Sequence, residues 1–360
     1  MGLHELTVRD FRLFRELTFT PDPHAVTVLL SANGTGKTSV LEAVYALATA
    51  TSFRSSAASD MIRTGAGLAE VHGVAFQRER RVQVDLTLTR GSHHTTKRML
   101  VNGQRPRSRA EVADVLPLTV FTPEGVDVIR QGPENRRDFL TNLLTDVNPA
   151  SGEVVERFHR VLSQRNAVLR ALEGRPPTAA QRDELDVWSH DFADVSGEVV
   201  LLREDLVDQL GPLVAEVYHE LAETDQVVAL AYERSWVGPL EEALARVRDD
   251  DRVRGHTTIG PQRDDVAVTL DERDARRQAS QGEQRSLALS LRLAGHRLVQ
   301  SRRGVDPLLL LDDVFSELDP ARAERLLHLL PVGQTLVTTA SPLPSGMSPA
   351  AVVDLTAGRS

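Results

Sequence analysis

Cysteine is absent from this 360-residue chain. That excludes disulfides, thiolate catalysis and cysteine-ligated zinc. Metal-ligand spacing is missing as well, because the 11 histidines form no H-x-x-x-H or H-E-x-x-H pattern. The adjacent pair His93-His94 lies in a polar stretch that reads as a solvated turn before it reads as a metal site. No apolar run reaches the length that crosses a bilayer. The N-terminus "MGLHELTVRDFRLF" alternates polar and apolar residues and carries acids, a poor secretion signal, so the expected location is the cytoplasm. Lysine is nearly absent too: of 42 basic side chains only Lys37 and Lys97 are lysine.

What is there describes a folded protein. Hydrophobic residues make up 41% and charged residues 26%, an ordinary balance for a globular chain. A length of 360 residues exceeds what one core usually holds, so two structural units are expected, not necessarily consecutive ones. The net charge of −9 argues against nonspecific adhesion to nucleic acid over the whole surface. Locally the balance reverses. Residues 52–110 hold eleven Arg/Lys against four Asp/Glu, and "KRMLVNGQRPRSR" (97–109) holds five basic residues and no acid.

Residues 2–30 read as strands: "HELTVRDF" and "RELTFTPD" alternate, and "AVTVLL" is a buried run. "SANGTG" is a turn-forming loop, and "KTSVLEAVYALAT" has helical period with Val40, Leu41, Val44 and Leu47 on one side. "RRVQVDLTLTR" alternates, Asn102-Gly103 signals a hairpin, and "PLTVFTPE" is a short buried strand. From about 126 to 250 helices dominate, separated by "NPAS" and "EGRPP", without the long heptads of an extended coiled coil. One helix is expected to close at "LVDQL", before Gly211-Pro212. Strand text resumes at "HTTIGPQRDDVAVTLD", followed by the helix "SQGEQRSLALSLRLAGHRLVQ", the buried strand "DPLLLLDDVF", the helix "DPARAERLLHLL" and the strand "GQTLVTTA". The Pro/Ser-rich tail is expected to be partly loose, and there is no internal repeat.

Three motifs carry chemistry. "SANGTGKTS" (31–39) is a phosphate loop, G-x-x-x-x-G-K-[ST], with Ser31 in place of the first glycine. Amides from Ser31, Ala32, Asn33, Gly34, Thr35 and Gly36 would cradle phosphates at a helix N-terminus. Lys37 would bridge the β- and γ-phosphates, and Thr38, followed by Ser39, would bind Mg²⁺. The first glycine serves the turn into the loop, where serine fits if φ is negative. Lysine at 37, in a chain that otherwise writes arginine, marks a place where a compact ammonium is needed. The second motif is "PLLLLDDVFSELD" (307–319), a strand buried on both faces that ends in two acids. Asp312 is placed to hold Mg²⁺ and Asp313 to polarise an attacking water as general base. The third is "SQGEQRS" (280–286). It reads equally as an anion site at a helix N-terminus or as a Ser280 cap whose box Glu283 completes.

In this order, with an inserted helical region, the motifs resemble the ABC-type, SMC-like ATPases, where "SQGE" matches the signature motif and "SELD" the D-loop. Within that superfamily the chain resembles the RecF family, through "RDFRLFRELTF", "NGTGKTSVLEAVYALATATSFR", "FTPEGVDVIRQGPENRRDFL", "LSQRNAVLR", "TTIGPQRDD", "SQGEQRSLALSLRLA" and "LLLLDDVFSELD". The resemblance implies an α/β fold: an ABC-type ATPase head of two lobes, discontinuous over 1–125 and 255–360, with a mainly helical arm inserted at 126–254. It implies ATP and Mg²⁺ as ligands. It also implies that ATP is sandwiched in a head-to-tail homodimer, with Ser280, Gly282 and Glu283 reaching the partner's nucleotide and Asp319 at the seam. Arg12 matches a family position near the nucleotide, and reads locally as a surface arginine on a strand. Slow hydrolysis is implied, with binding of double-stranded DNA at gaps and junctions and cooperation with RecR and RecO in loading RecA. An ATP- and DNA-binding scaffold with negligible hydrolysis is the alternative.

The sequence departs from the family pattern at Ser31, at Gln262 where histidine is usual, and at Glu283 where glutamine is usual. "EGVDVI" also lacks the acid that usually follows Pro-Glu, and Thr338 and Thr339 occupy the region where transporter cassettes carry a switch histidine. For DNA, Lys97, Arg98, Arg105, Arg107 and Arg109 flank the expected hairpin and would contact phosphates if they share a face; a solvated basic loop reads equally well. No aromatic residues interleave with them, which disfavours base stacking on single strands.

Overall fold

The computed structural model describes every residue except Met1, Asn33, Arg78, Glu79, His93, Ser108, Glu173, Ser341, Pro342, Ser345 and 356–360; for Gln77, Arg109, Ala110, Ala113 and Glu317 it describes the backbone alone. The chain folds as two compact units. The first comprises Met1–Gly125, Glu220–Glu223 and Leu289–Ser360, and the second Val126–His219 and Thr224–Ala288.

Two sheets and a helix between them build the first unit. One sheet is antiparallel, in the order Phe14–Phe19, Gly2–Phe11, Leu68–Gln77, Arg80–Arg90, Thr95–Val101. Its strands alternate as read: Val82, Val84, Leu86 and Leu88 are buried on one face. The other sheet is parallel, in the order Ala351–Asp354, Val26–Leu30, Thr335–Thr339, Leu308–Asp312, Leu118–Phe121. Leu308–Leu311 are all buried, as a central parallel strand requires. The helix Lys37–Thr49 has the limits that the period predicts, but it is not one-sided. Ala43, Ala46 and Ala48 are buried along with Val40, Leu41, Val44 and Leu47, because both sheets contribute to the core around the helix. Close packing depends on Gly73, where a Cβ would fall 2.1 Å from Leu47 Cδ2.

Two expectations change in this unit. After Asn102-Gly103, both with positive φ (49° and 79°), the described residues make one bridge, Val101 to Gln104, and no second strand. Pro106 can donate nothing to a ladder, and the backbone turns helical at Arg109–Val115. The tail also supplies a strand: Ala351–Asp354 pairs in parallel with Val26–Leu30.

The second unit holds the helices Pro133–Val147, Ser151–Leu172 and Leu240–Arg254 and most of Ala179–Ala222. Phe158, Val161, Phe192, Val195, Val199 and Leu244 form one of its cores. The helix Ala179–Ala222 continues through Gly211-Pro212, where the sequence suggested an end. Val214, Val217 and Tyr218 are buried at helical spacing beyond the proline, and their packing outweighs the lost hydrogen bond. A three-stranded sheet of Val228–Glu233, Asp265–Leu270 and Arg273–Asp274 completes the unit. Because Val228–Glu233 pairs with Asp265–Leu270, residues 255–288 pack with the helices that precede them, whereas the sequence reading groups them with the head. Among the described residues no helix is long and apolar enough to cross a membrane.

Candidate functional site

The strand Val26–Leu30 delivers the phosphate loop at its carboxyl end, and the helix Lys37–Thr49 leaves from it. Gly34 and Gly36 both have left-handed backbones, φ 75° and 102°. Only Gly36 is crowded: a Cβ there would lie 2.5 Å from Phe14 Cζ and 3.1 Å from Leu13 Cδ1. Ser31 is not among the residues with positive φ, so serine meets the condition set for it. Its carbonyl accepts from Lys37 Nζ, and its own Oγ is buried with no partner among the described residues. The Ala32 carbonyl accepts from Lys37 Nζ at 2.9 Å and from Thr35 Oγ1 at 2.8 Å. Burial lowers the pKa of Lys37, while Asp313 and Asp312 pull it back up. The ammonium therefore rests on its own loop, in reach of a ligand anion that would replace those carbonyls. Ser39 is buried behind it, and Asn33 lies outside the described residues.

Asp312 and Asp313 arrive on the strand Leu308–Asp312 and the turn after it. Thr38 Oγ1 donates to Asp312 Oδ1 at 2.9 Å across 274 positions of sequence. Thr338 Oγ1 donates to the same oxygen at 2.6 Å and accepts the Asp313 N–H at 3.1 Å. One hydroxyl thus aligns both acids. Burial raises the pKa of Asp312, the two threonine hydroxyls lower it, and the fields of Glu124 (raising) and Arg54 (lowering) also act on it. Asp313 sits in the left-handed region, φ 49°, and its Oδ1 is buried with no hydrogen-bond partner among the described residues. An orphan carboxylate oxygen beside a phosphate loop suits a group that handles a water proton. Thr38 and Asp312 offer the hard oxygens that Mg²⁺ takes when phosphates and waters complete its shell. No group of three or more His, Cys, Asp or Glu suited to a metal occurs among the described residues.

Arg12 is not a strand residue facing water: its guanidinium is tied to Glu42 and to a backbone carbonyl. It lies in the turn between Gly2–Phe11 and Phe14–Phe19, φ 52°. Its Nε donates to Glu42 Oε2 at 2.7 Å, its Nη2 to Glu42 Oε1, and its Nη1 to the Asp60 carbonyl at 2.7 Å. Glu42, Arg54 and the aligning role of Thr338 are absent from the sequence reading. The one available signal was a lone acid, Glu42, in the otherwise apolar "SVLEAVYAL".

Ser280, Gly282 and Glu283 belong to the second unit. There the capping box is formed: the Ser280 N–H donates to Glu283 Oε2 at 2.6 Å, and the Glu283 N–H to Ser280 Oγ at 3.3 Å. The Ser280 amide holds the Glu283 carboxyl below its ordinary pKa. Gln262 spends its amide on the Ile259 carbonyl at 2.8 Å. Asp319, in the first unit, caps Pro320–Leu329 through the Arg322 N–H at 3.0 Å, and that bond lowers its pKa.

The basic residues do not share one face. Lys97 and Arg98 are neighbours on the strand Thr95–Val101 and so project to opposite sides. Lys97 Nζ donates to the Ala50 carbonyl at 2.8 Å, closing the end of the Lys37–Thr49 helix. Arg105 and Arg107 are exposed in the segment after the turn, and Arg109 begins the next helix.

Residues 2–342 match the RecF/RecN/SMC N-terminal domain family. The chain is 33% identical to the DNA replication and repair protein RecF of Acidothermus cellulolyticus, over 95% of this chain and 94% of that one. It is 36% identical to the RecF of Streptomyces avermitilis over the same shares. Among solved structures, one described as the recombination mediator protein RecF with ATP in the RecFOR pathway superposes with a TM-score of 0.87 at 23% identity, covering 98% of this chain and 94% of that one. An Smc head domain from Pyrococcus furiosus superposes with a TM-score of 0.54 at 15% identity, covering 94% and 90%. These two likenesses show the fold, that of ABC-type ATPase heads.

Proposed function

The chain belongs to the RecF family of DNA replication and repair proteins, within the RecF/RecN/SMC N-terminal domain family, and from that membership we propose that it is an ATP-dependent DNA-binding protein that dimerises around ATP on gapped or junction duplex DNA. In this reading it hydrolyses ATP slowly, acts in the cytoplasm, and aids RecA loading with RecR and RecO. The observation that carries the ATP site is the convergence of Lys37, Thr38, Asp312 and the unpartnered Asp313 from opposite ends of the chain.

Each residue then has a role that its position supports. Loop amides and Lys37 hold phosphates, and Thr38 with Asp312 holds Mg²⁺. When bound, that ion neutralises charge developing on the phosphates. Thr338 keeps Asp312 oriented and holds the backbone of Asp313. Asp313 accepts the proton of the attacking water. Ser280, Gly282 and Glu283 face the partner's nucleotide and Asp319 the dimer seam. The functional division that we propose, head 1–125 and 255–360 with arm 126–254, cuts through the second compact unit. Arg105, Arg107 and Arg109 contact duplex phosphates.

Gel filtration with and without ATP–Mg²⁺ on gapped duplex tests the reading: native protein shifts to a dimer, and Lys37→Met does not. A Lys37→Met variant that still dimerises with ATP removes the sandwich. Phosphate release by Asp313→Asn is expected to fall about a hundredfold or more. Equal rates would instead leave an ATP- and DNA-binding scaffold. Neutralising Arg105, Arg107 and Arg109 together should weaken gapped-duplex binding and flatten its salt dependence.

A further inference from the structure

Asn102-Gly103 turns the chain after the edge strand Thr95–Val101, in the middle of the basic segment 97–109. Both residues are exposed. Three amides of this turn are tied. The Val101 N–H donates to the Gln104 carbonyl at 2.8 Å, the Asn102 N–H to the Gln83 carbonyl at 2.8 Å, and the Gln104 N–H to the Val101 carbonyl at 3.0 Å. The Gly103 N–H has no partner among the described residues. A Cβ on Gly103 would meet nothing within 4 Å, so nothing crowds that side of the residue. The Asn102 side chain is held: its Oδ1 accepts the Gln83 N–H at 2.9 Å.

These are the parts of an intramolecular acyl transfer. The Gly103 nitrogen is the nucleophile, and the Asn102 carboxamide carbon is an electrophile tethered beside it. The Gln83 N–H sits on the oxygen that turns negative when the nitrogen attacks, the place of an oxyanion donor. Attack joins Gly103 N to Asn102 Cγ, and the amide gives its proton to water. The Cγ–Nδ2 bond then breaks, and Nδ2 takes up a proton and leaves as ammonia. The cyclic imide adds one water. Opening at Cγ yields an aspartyl residue, and opening at the main-chain carbonyl an isoaspartyl one. One water enters, one ammonia leaves, no atom changes oxidation state, and a carboxylate stands where an amide stood. Segment 97–109 has five basic residues and no acid, so this charge is its first. The acids around it are engaged already: Glu111 accepts the Arg107 N–H at 2.7 Å, and Asp85 pairs with His72. The isoaspartyl form also adds a carbon to the main chain of a two-residue turn that the Val101–Gln104 bridge closes.

We propose that Asn102 is a self-modification site: its carboxamide closes on the Gly103 amide and opens as an aspartyl or isoaspartyl residue, and the new charge loosens the hold of the basic segment on phosphate. The chemistry stands apart from the DNA reading above; its consequence rests on that reading. Peptide mass mapping tests the chemistry, on the full chain aged in mildly alkaline buffer beside the same chain in urea. The folded chain should lose ammonia and gain water at Asn102 on the time scale of the unfolded one. No product at Asn102 in the folded chain, by the time half of the unfolded chain has reacted, overturns the proposal. The map also separates Asn102 from Asn33, which precedes Gly34 in the chain's other Asn-Gly pair. Gly103→Ala should slow the reaction about tenfold or more, because a Cβ shields the nitrogen. An unchanged rate rules out the ring closure. If Gly103→Ala disturbs the turn, Asn102→Gln serves instead: its longer side chain misplaces the carbonyl carbon, and product at that position would equally overturn the route. Asn102→Asp isolates the charge. It should raise the Kd for gapped duplex about threefold and lower the salt slope by about one. Native binding by Asn102→Asp sinks the consequence where neutralising Arg105, Arg107 and Arg109 still weakens binding. If that triple variant also binds like the native chain, the DNA reading falls, and the mass map alone decides the modification.

Discussion

Each unit buries an ion pair, and the two are finished in different ways. In the second unit Arg165 and Asp251 are 1% and 0% exposed, with one guanidinium facing one carboxylate at 2.8 Å. Their spare valences are filled. Arg165 also donates to Thr257 Oγ1 at 2.6 Å and Ser189 Oγ at 3.1 Å, and Asp251 Oδ1 accepts the N–H and hydroxyl of Thr258 at 2.8 and 2.6 Å. The result is a pinned loop. Further along it, Arg203 holds the Pro261 carbonyl at 2.7 Å, and Tyr232 and Ser235 hold Asp264. Burial raises the pKa of that Tyr232 hydroxyl. In the first unit one carboxylate, Glu42, is shared by two arginines, Arg12 on both oxygens and Arg54 by one contact at 3.4 Å. A matched pair with every valence filled pins one loop; a carboxylate shared by two arginines ties two segments to the helix that carries it.

The largest test breaks the balanced pair. Asp251→Ala leaves Arg165 buried without compensation and should cost about 3–5 kcal/mol. Denaturant unfolding followed at Trp188, in the second unit, would read it. A loss under about 1 kcal/mol would mean that the pair is not sealed in solution. Next in size is a pH effect confined to the first unit. His296 is buried, bonded to Thr119 Oγ1 at 3.1 Å, and its Nε2 has no partner among the described residues. Burial pushes its pKa down from 6.5 to about 4. The folded state therefore keeps it neutral where the unfolded chain binds a proton. Stability from this group is complete above pH 6.5 and is lost as the pH falls to about 4, amounting to about 3 kcal/mol over that window. His296→Leu should flatten that part of the pH–stability curve; an unchanged slope would remove the assignment. The smallest effect sharpens the contrast without touching a charge. Gly36→Ala forces an L side chain into φ 102° against Phe14, and should cost about 1–2 kcal/mol. If the Arg12 turn is set by that contact, ATP affinity falls with it, while unfolding of the second unit stays native.

Much of this was legible from local patterns. The limits of Lys37–Thr49, the buried leucines before Asp312, and the glycines of the loop follow from period and residue type. What escaped depends on distant partners. Glu42 is a single acid among apolar residues in sequence, and its burial emerges only when strands from both sheets pack around the helix that carries it. Thr338 reads as a missing histidine until the parallel register sets it opposite Asp312. Val228–Glu233 and Ala351–Asp354 are short and gain their structure only from strands far away in sequence. Gly211-Pro212 reads as an end because the burial beyond it is tertiary. At "SQGE" the local reading of a capping box is correct in the structure.

The short strand Ala351–Asp354 has a consequence for handling the protein. It lies over the flank of Val26–Leu30, the strand that feeds the phosphate loop. Peeled away, it would leave a row of open amides and carbonyls beside an apolar surface, the template on which chains polymerise edge to edge. Trimming the proline-rich tail to tidy a preparation would therefore invite precipitation, and a solubility tag is better joined at the other end of the molecule.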